Sequence, residues 1–166
     1  MALLRRVAPL LAGALLAPGP CRVGLLTAPE VPPNAQPVPF ERITQVFYSG
    51  FEEPGRQVIR TQAAWSAFWA RLQESITPRP PAPAIDFSRD LVIGAAMGSR
   101  GSGGYAIQIA QVAEDQGRLF VAVREVSPGE RCGVTLALTQ PVDVVRVPGR
   151  AGREVAFVER RETRDC

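Results

Sequence analysis

Leu91-Val92-Ile93-Gly94-Ala95-Ala96-Met97 runs directly into Gly98-Ser99-Arg100-Gly101-Ser102-Gly103-Gly104-Tyr105. The first seven residues form a nearly continuous apolar run, which reads as a central strand. The next eight hold four glycines and little side chain that a core could use, so they form a loop. Its backbone can take φ > 0 and can approach another molecule closely. From Tyr105 to Val112 the pattern alternates, with Tyr105, Ile107 and Ile109 on one face and Gln108 on the other, as in a strand. A strand, a working loop and a second strand thus stand at the centre of a small β domain.

The chain after this centre is a succession of strands. Glu114-Asp115-Gln116-Gly117 is a hairpin turn, and Leu119, Val121 and Val123 give the next strand its core face. Ser127-Pro128-Gly129-Glu130 is a second turn. Strands are predicted over Val134 to Leu138 and Val142 to Val147, with Pro141 between them marking an edge or a bend. Pro148 to Gly152 turns again, and Glu154 to Glu159 is the last strand.

Before the centre, Ile43 to Tyr48 carries β-branched and aromatic residues suited to a strand, and Gln57 to Arg60 suits another. Thr61 is placed as the N-cap of a helix over Gln62 to Gln73. Trp65, Phe68, Trp69 and Leu72 recur at i, i+3, i+4, i+7 and make one apolar stripe. Such a stripe can line a ligand site, but core packing is the better reading, with the helix covering one face of the sheet. Four prolines between Thr77 and Ala84 end any helix. That stretch is read as a rigid crossover in preference to a PxxP ligand. The expected fold is α+β: a mainly antiparallel sheet of six to seven strands, as a sandwich or partly open barrel, with one packed helix.

A length of 166 residues suits one domain and a leader. Arg5 and Arg6 precede a short apolar run, Val7 to Ala17, too short to span a bilayer, where about 20 residues are needed. Residues 1–21 are therefore read as a secretory leader and the protein as exported, to the periplasm or cell envelope. Cys21 stands where a lipoprotein cysteine would stand. Pro18-Gly19-Pro20 departs from the small-residue run that precedes such a cysteine, so lipidation is the lesser reading. Residues 22–39 are rich in proline and lack periodicity, and read as an extended linker. The domain is placed at 40–161 and a tail at 162–166. Without the two leader arginines the formal charge falls from +3 to about +1, too little for a nucleic-acid binder or a membrane-surface binder. Contact with a membrane is expected only through the leader or a lipid anchor.

The chain holds no histidine and no lysine. This excludes Ser-His-Asp and Cys-His catalysis, histidine-ligated zinc and histidine pH switching. Three cysteines, at 21, 132 and 166, form no CxxC pair, so no metal site is expected. Gly101-Ser102-Gly103-Gly104 lacks the Lys-Ser/Thr of a P-loop, and strand alternation follows it where a dinucleotide fingerprint needs a helix. No cofactor is expected. Ser102 could serve as a nucleophile only with a carboxylate as base, and Asp86, Asp90, Glu114, Asp115, Glu125 and Glu130 show no spacing that demands it. Cys132 either pairs with Cys166 in an oxidising compartment or is a small buried hydrophobe beside a loose Cys166; both readings stay open.

Two stretches resemble the C-terminal domain of the protease-complex subunit PrcB family. The first runs from Phe87-Ser88-Arg89-Asp90 to Met97, then Gly98-Ser99-Arg100 and Gly103-Gly104-Tyr105-Ala106-Ile107. The second is Ser127-Pro128-Gly129, Cys132, Val134-Thr135, Ala137-Leu138-Thr139, Pro141 and Val145 to Pro148. The likeness extends over roughly 57–160, since the segment with Trp65 and Trp69 also fits the family pattern. One departure stands in the loop, where the family's Pro-Thr is Gly101-Ser102. The resemblance implies an exported, often lipid-anchored, non-catalytic subunit that associates with a secreted subtilisin-like protease. On this reading Gly98, Arg100, Ser102, Gly103, Gly104 and Tyr105 meet a protein partner. Arg100 makes a polar contact, and Gly103 and Gly104 let the backbone come near. Two alternatives accompany it. One is a protease inhibitor using the Gly98–Tyr105 loop as a wedge; over a short span that loop resembles the one in chagasin-type inhibitors. The other is a His-independent hydrolase using Ser102.

Overall fold

The computed structural model describes residues 30–166. The leader, Cys21 and the first part of the linker lie outside the described residues. In chain order the elements are β1 (Gln36–Pro37), β2 (Glu41–Val46), β3 (Gly55–Ile59), α1 (Gln62–Leu72), β4 (Leu91–Ala96), β5 (Ala106–Asp115), β6 (Arg118–Pro128), β7 (Val142–Val147) and β8 (Glu154–Arg164). They form two four-stranded sheets, β1-β5-β6-β8 and β2-β7-β4-β3, that are not closed into a barrel. The fold is an α+β sandwich. Among the described residues no helix is long and apolar enough to cross a membrane.

Every residue of β4 is buried, because the strand is covered twice. Leu91, Ile93, Ala95 and Met97 face the second sheet and pack with Ile107, Ile109, Val121, Val123, Val145 and Val147. Val92 and Ala96 face the other way, onto Trp65, Phe68, Trp69 and Leu72 of α1. This double cover explains the absence of alternation in β4. Each large apolar side chain so buried contributes about 1.5–3 kcal/mol relative to exposure.

Helix α1 begins where Thr61, in extended backbone, accepts the Ala64 N–H at 3.2 Å. The proline-rich stretch returns across the helix. Trp65 Nε1 donates to the Pro83 carbonyl and Trp69 Nε1 to the Pro80 carbonyl, each at 2.9 Å. Both indoles thus bury their rings and satisfy their polar atoms. Gly94 makes room for the helix: a Cβ there would lie 2.5 Å from Phe68 Cζ.

Charged groups at the sides of the sandwich help tie the two sheets. Asp143 of β7 is fully buried. Its Oδ1 accepts Arg42 Nε at 2.8 Å, and its Oδ2 accepts Arg42 Nη2 at 3.1 Å and the Ile109 N–H at 2.7 Å. Register shifts occur beside both partners, between Arg42 and Thr44 in β2 and between Ile109 and Gln111 in β5. A bulge leaves ladder groups unpaired, and here a carboxylate from the opposite sheet takes one of them. Across the sandwich, Arg56 of β3 bonds Glu125 at 2.6 Å and Glu159 at 2.7 Å. Burial pushes the Arg56 guanidinium down, but hydrogen bonds and charge from Glu159 and Glu125 outweigh it and hold it above the usual arginine value.

Three features depart from the sequence reading. Val134 to Leu138, expected as a strand, has no ladder partner and is irregular. The sandwich takes in Gln36 and Pro37, paired with Glu114 and Ala113, and Val38, which is buried; the sequence reading placed these three in the linker. β8 continues to Arg164, through residues read as tail, because it lies parallel to β6 along its whole length. An otherwise antiparallel sheet thus gains a parallel edge.

Two measurements check these supports. Gly94→Ala should cost about 1–3 kcal/mol in urea unfolding, because Phe68 must leave its packed position. Asp143→Ala should cost about 3–5 kcal/mol, because Arg42 and the Ile109 N–H lose a buried partner together.

Candidate functional site: the loop end of the sandwich

The Gly98–Tyr105 loop leaves β4 at one end of the sandwich and is held there by its own chain. Gly98 has φ +76°, and a Cβ on it would lie 2.7 Å from the Pro54 ring, so only glycine fits. Ser99 N–H donates to the Glu52 carbonyl at 2.8 Å. Arg100 and Thr139 then exchange backbone hydrogen bonds of 2.8 and 3.0 Å, as an isolated antiparallel bridge. Thr139 Oγ1 donates to the Ser102 carbonyl at 3.0 Å, and Gly103 N–H donates to the Thr135 carbonyl at 2.9 Å. The loop is therefore zipped to residues 135–139.

This corrects the roles expected of two glycines. A Cβ on Gly103 would lie 2.3 Å from Thr135 Oγ1, and one on Gly104 would press on Val134 and Pro128. The close approach they permit is to the chain itself. Of the four glycines in this loop, Gly101 alone stands clear, with nothing within 4 Å of its Cβ position. Ser102 Oγ donates to the Gly103 carbonyl at 3.1 Å. Among the described residues no acidic side chain hydrogen-bonds that hydroxyl. Asp90, Glu114 and Glu125 are instead engaged by Arg146, Arg150 and Arg56. Tyr105 packs against the inner core, and the Arg100 guanidinium lies over its ring at 5.7 Å from the centroid.

Residues 133–140 complete the same end of the molecule. Cys132 and Cys166 form a disulfide with their Cα atoms 5.0 Å apart. Gly129 N–H also donates to the Arg164 carbonyl at 2.9 Å, so β8 holds the start of this segment. Gln140 N–H donates to the Phe47 carbonyl at 2.8 Å, and Ser49 Oγ donates to the Gln140 carbonyl at 3.0 Å. Phe47, Tyr48, Val134, Leu136 and Leu138 all expose their side chains, Leu136 to 97%. They make up five of the six large apolar side chains exposed among the described residues. Sequence reasoning missed them because Val134, Leu136 and Leu138 alternate as a core strand does. Among the described residues no neighbouring strand receives them.

The contact between the two segments is testable by a double-mutant cycle. Gly103→Ala alone should cost about 1 kcal/mol, the low end of overpacking, because Thr135 can turn its hydroxyl away. In a Thr135→Ala background the cost should fall by at least about 0.5 kcal/mol, which marks coupled neighbours.

Comparison with known proteins finds no matching curated protein and no matching solved structure. One family model does match. Its span opens on the first residue of β4, takes in the 98–105 loop and the 133–140 segment zipped to it, and closes just past β7. Residues 91–148 of this chain match the family described as PrcB C-terminal.

Proposed function

We propose that this chain is an exported, non-enzymatic binding module whose loop end docks on a protein partner, a secreted protease of the subtilisin-like kind. The reading rests on one observation above all: exposed large apolar side chains gather where the 98–105 loop is bonded to residues 135–139. Apolar groups gathered in one exposed region mark interaction sites more than scattered ones do. The PrcB C-terminal match supports a domain of a protease-associated subunit. In this reading the leader at 1–21 directs export, and the proline-rich linker that follows it, up to β1, spaces the sandwich from the envelope. Gly101 and Ser102 offer backbone to the partner, Arg100 offers its guanidinium, and Gly98, Gly103, Gly104 and Tyr105 hold the loop's shape.

Capture from the native envelope fraction with the full chain, followed by identification of the bound protein, tests this. A subtilisin-like protease should be retained by wild type and reduced with Arg100→Ala. That substitution should leave stability within about 1 kcal/mol, the size of one cation–π contact. Equal capture by both forms would mean the loop only connects two strands. Fractionation should place the mature chain outside the cytoplasm; an unprocessed cytoplasmic chain would overturn the export reading.

A further inference from the structure

Leu136 is the most exposed of the large apolar side chains among the described residues, and its surroundings are built. On its N-terminal side, Cys132 is cross-linked to Cys166, and Thr135 gives its carbonyl to Gly103 N–H. On its C-terminal side, Thr139 is bridged to Arg100 in both directions. Between these anchors the chain bends at Leu136. The backbone N–H and carbonyl groups of Leu136, Ala137 and Leu138 make no hydrogen bond within the described residues. A short bent segment, fixed at both ends, thus offers one protruding apolar side chain flanked by free backbone donors and acceptors.

We infer that residues 134–138 occupy the substrate cleft of an endoprotease as an uncut substrate mimic, with Leu136 in an apolar primary pocket. This rests on the reading of the partner as a protease and names the part of it that is bound. A protease cleft pairs with the backbone of a bound chain and receives a side chain in a pocket; this segment presents free backbone groups and a protruding side chain. A lipid surface fits less well, because backbone groups without partners are costly in hydrocarbon. Anchoring at both ends also limits the ordering cost on binding, which favours affinity over that of a loose peptide. The 98–105 loop then braces the wedge from one side, with Arg100, Gly101 and Ser102 meeting the partner beside it.

The test uses the full chain against subtilisin and chymotrypsin, both with apolar primary pockets, reading hydrolysis of a small chromogenic peptide. Wild type should inhibit competitively. Leu136→Gly should raise the inhibition constant about 30-fold or more, the size expected for a buried interface anchor. Leu136→Arg should lose chymotrypsin and gain trypsin. Thermal melts of both variants should match wild type, since this side chain touches little of the fold. Absence of inhibition by wild type, or prompt cleavage between Leu136 and Ala137 without inhibition, overturns the inference. So does equal inhibition by Leu136→Gly, or binding of wild type but not Leu136→Gly to phosphatidylglycerol vesicles. If envelope capture of the protease falls with Arg100→Ala but not with Leu136→Gly, the binding reading stands and this inference fails.

Discussion

Covering β4 on both faces is the constraint on which the rest of this structure depends. One strand serves two cores, the sandwich interior and the layer under α1. That requires a strand without polar residues and with a gap for Phe68, which Gly94 supplies. It also holds the exit of β4 rigidly. Gly98 leaves the strand in a conformation suited to glycine, against Pro54, so the loop that follows starts from a defined point.

The sides of the sandwich are closed by charge rather than by further apolar packing. Asp143 and Arg42, paired within one sheet, both bond the backbone of Ile109 in the other where the strands bulge, and Arg56 joins the sheets through Glu125 and Glu159 on the far side. Buried pairs of this kind are weak contributors to net stability but strong penalties when half is removed. They suit a small sandwich whose register must be unique, since a slip of one residue would leave a carboxylate without its partners. The loop end carries no such closure, and its apolar side chains face outward.

That end is organised from several distant parts of the chain. β8, running back parallel to β6, brings Arg164 to Gly129 and Cys166 to Cys132. The 98–105 loop then pins residues 135 and 139 from the other side. The result is a surface whose shape is held by covalent and backbone bonds, while its large apolar side chains stay exposed. Rigidity of this kind lowers the entropy lost on association.

Much of the fold was legible in residues 61–72 and 91–123, where local patterns decide the outcome. The stripe of Trp65, Phe68, Trp69 and Leu72 has helical spacing, Thr61 caps it, and the apolar run of β4 permits only burial. Leu119, Val121 and Val123 alternate and lie inside. The candidate site was legible as a glycine loop, but its neighbours were not. Val134, Leu136 and Leu138 alternate as a buried strand would, and the lack of an adjacent strand among the described residues puts them in solvent. Gly103 and Gly104 could have admitted a partner's backbone or their own; the hydrogen bond of Gly103 to Thr135 and the packing of Gly104 on Val134 and Pro128 decide for their own. The spacing of Cys132 and Cys166 left two readings open until the parallel return of β8 brought them together. By itself the sequence determined the helix stripe and the apolar faces of β4 to β6, because periodicity is a local property of the chain. The tertiary structure decided which exposed groups stand side by side, because that depends on contacts between residues far apart in sequence.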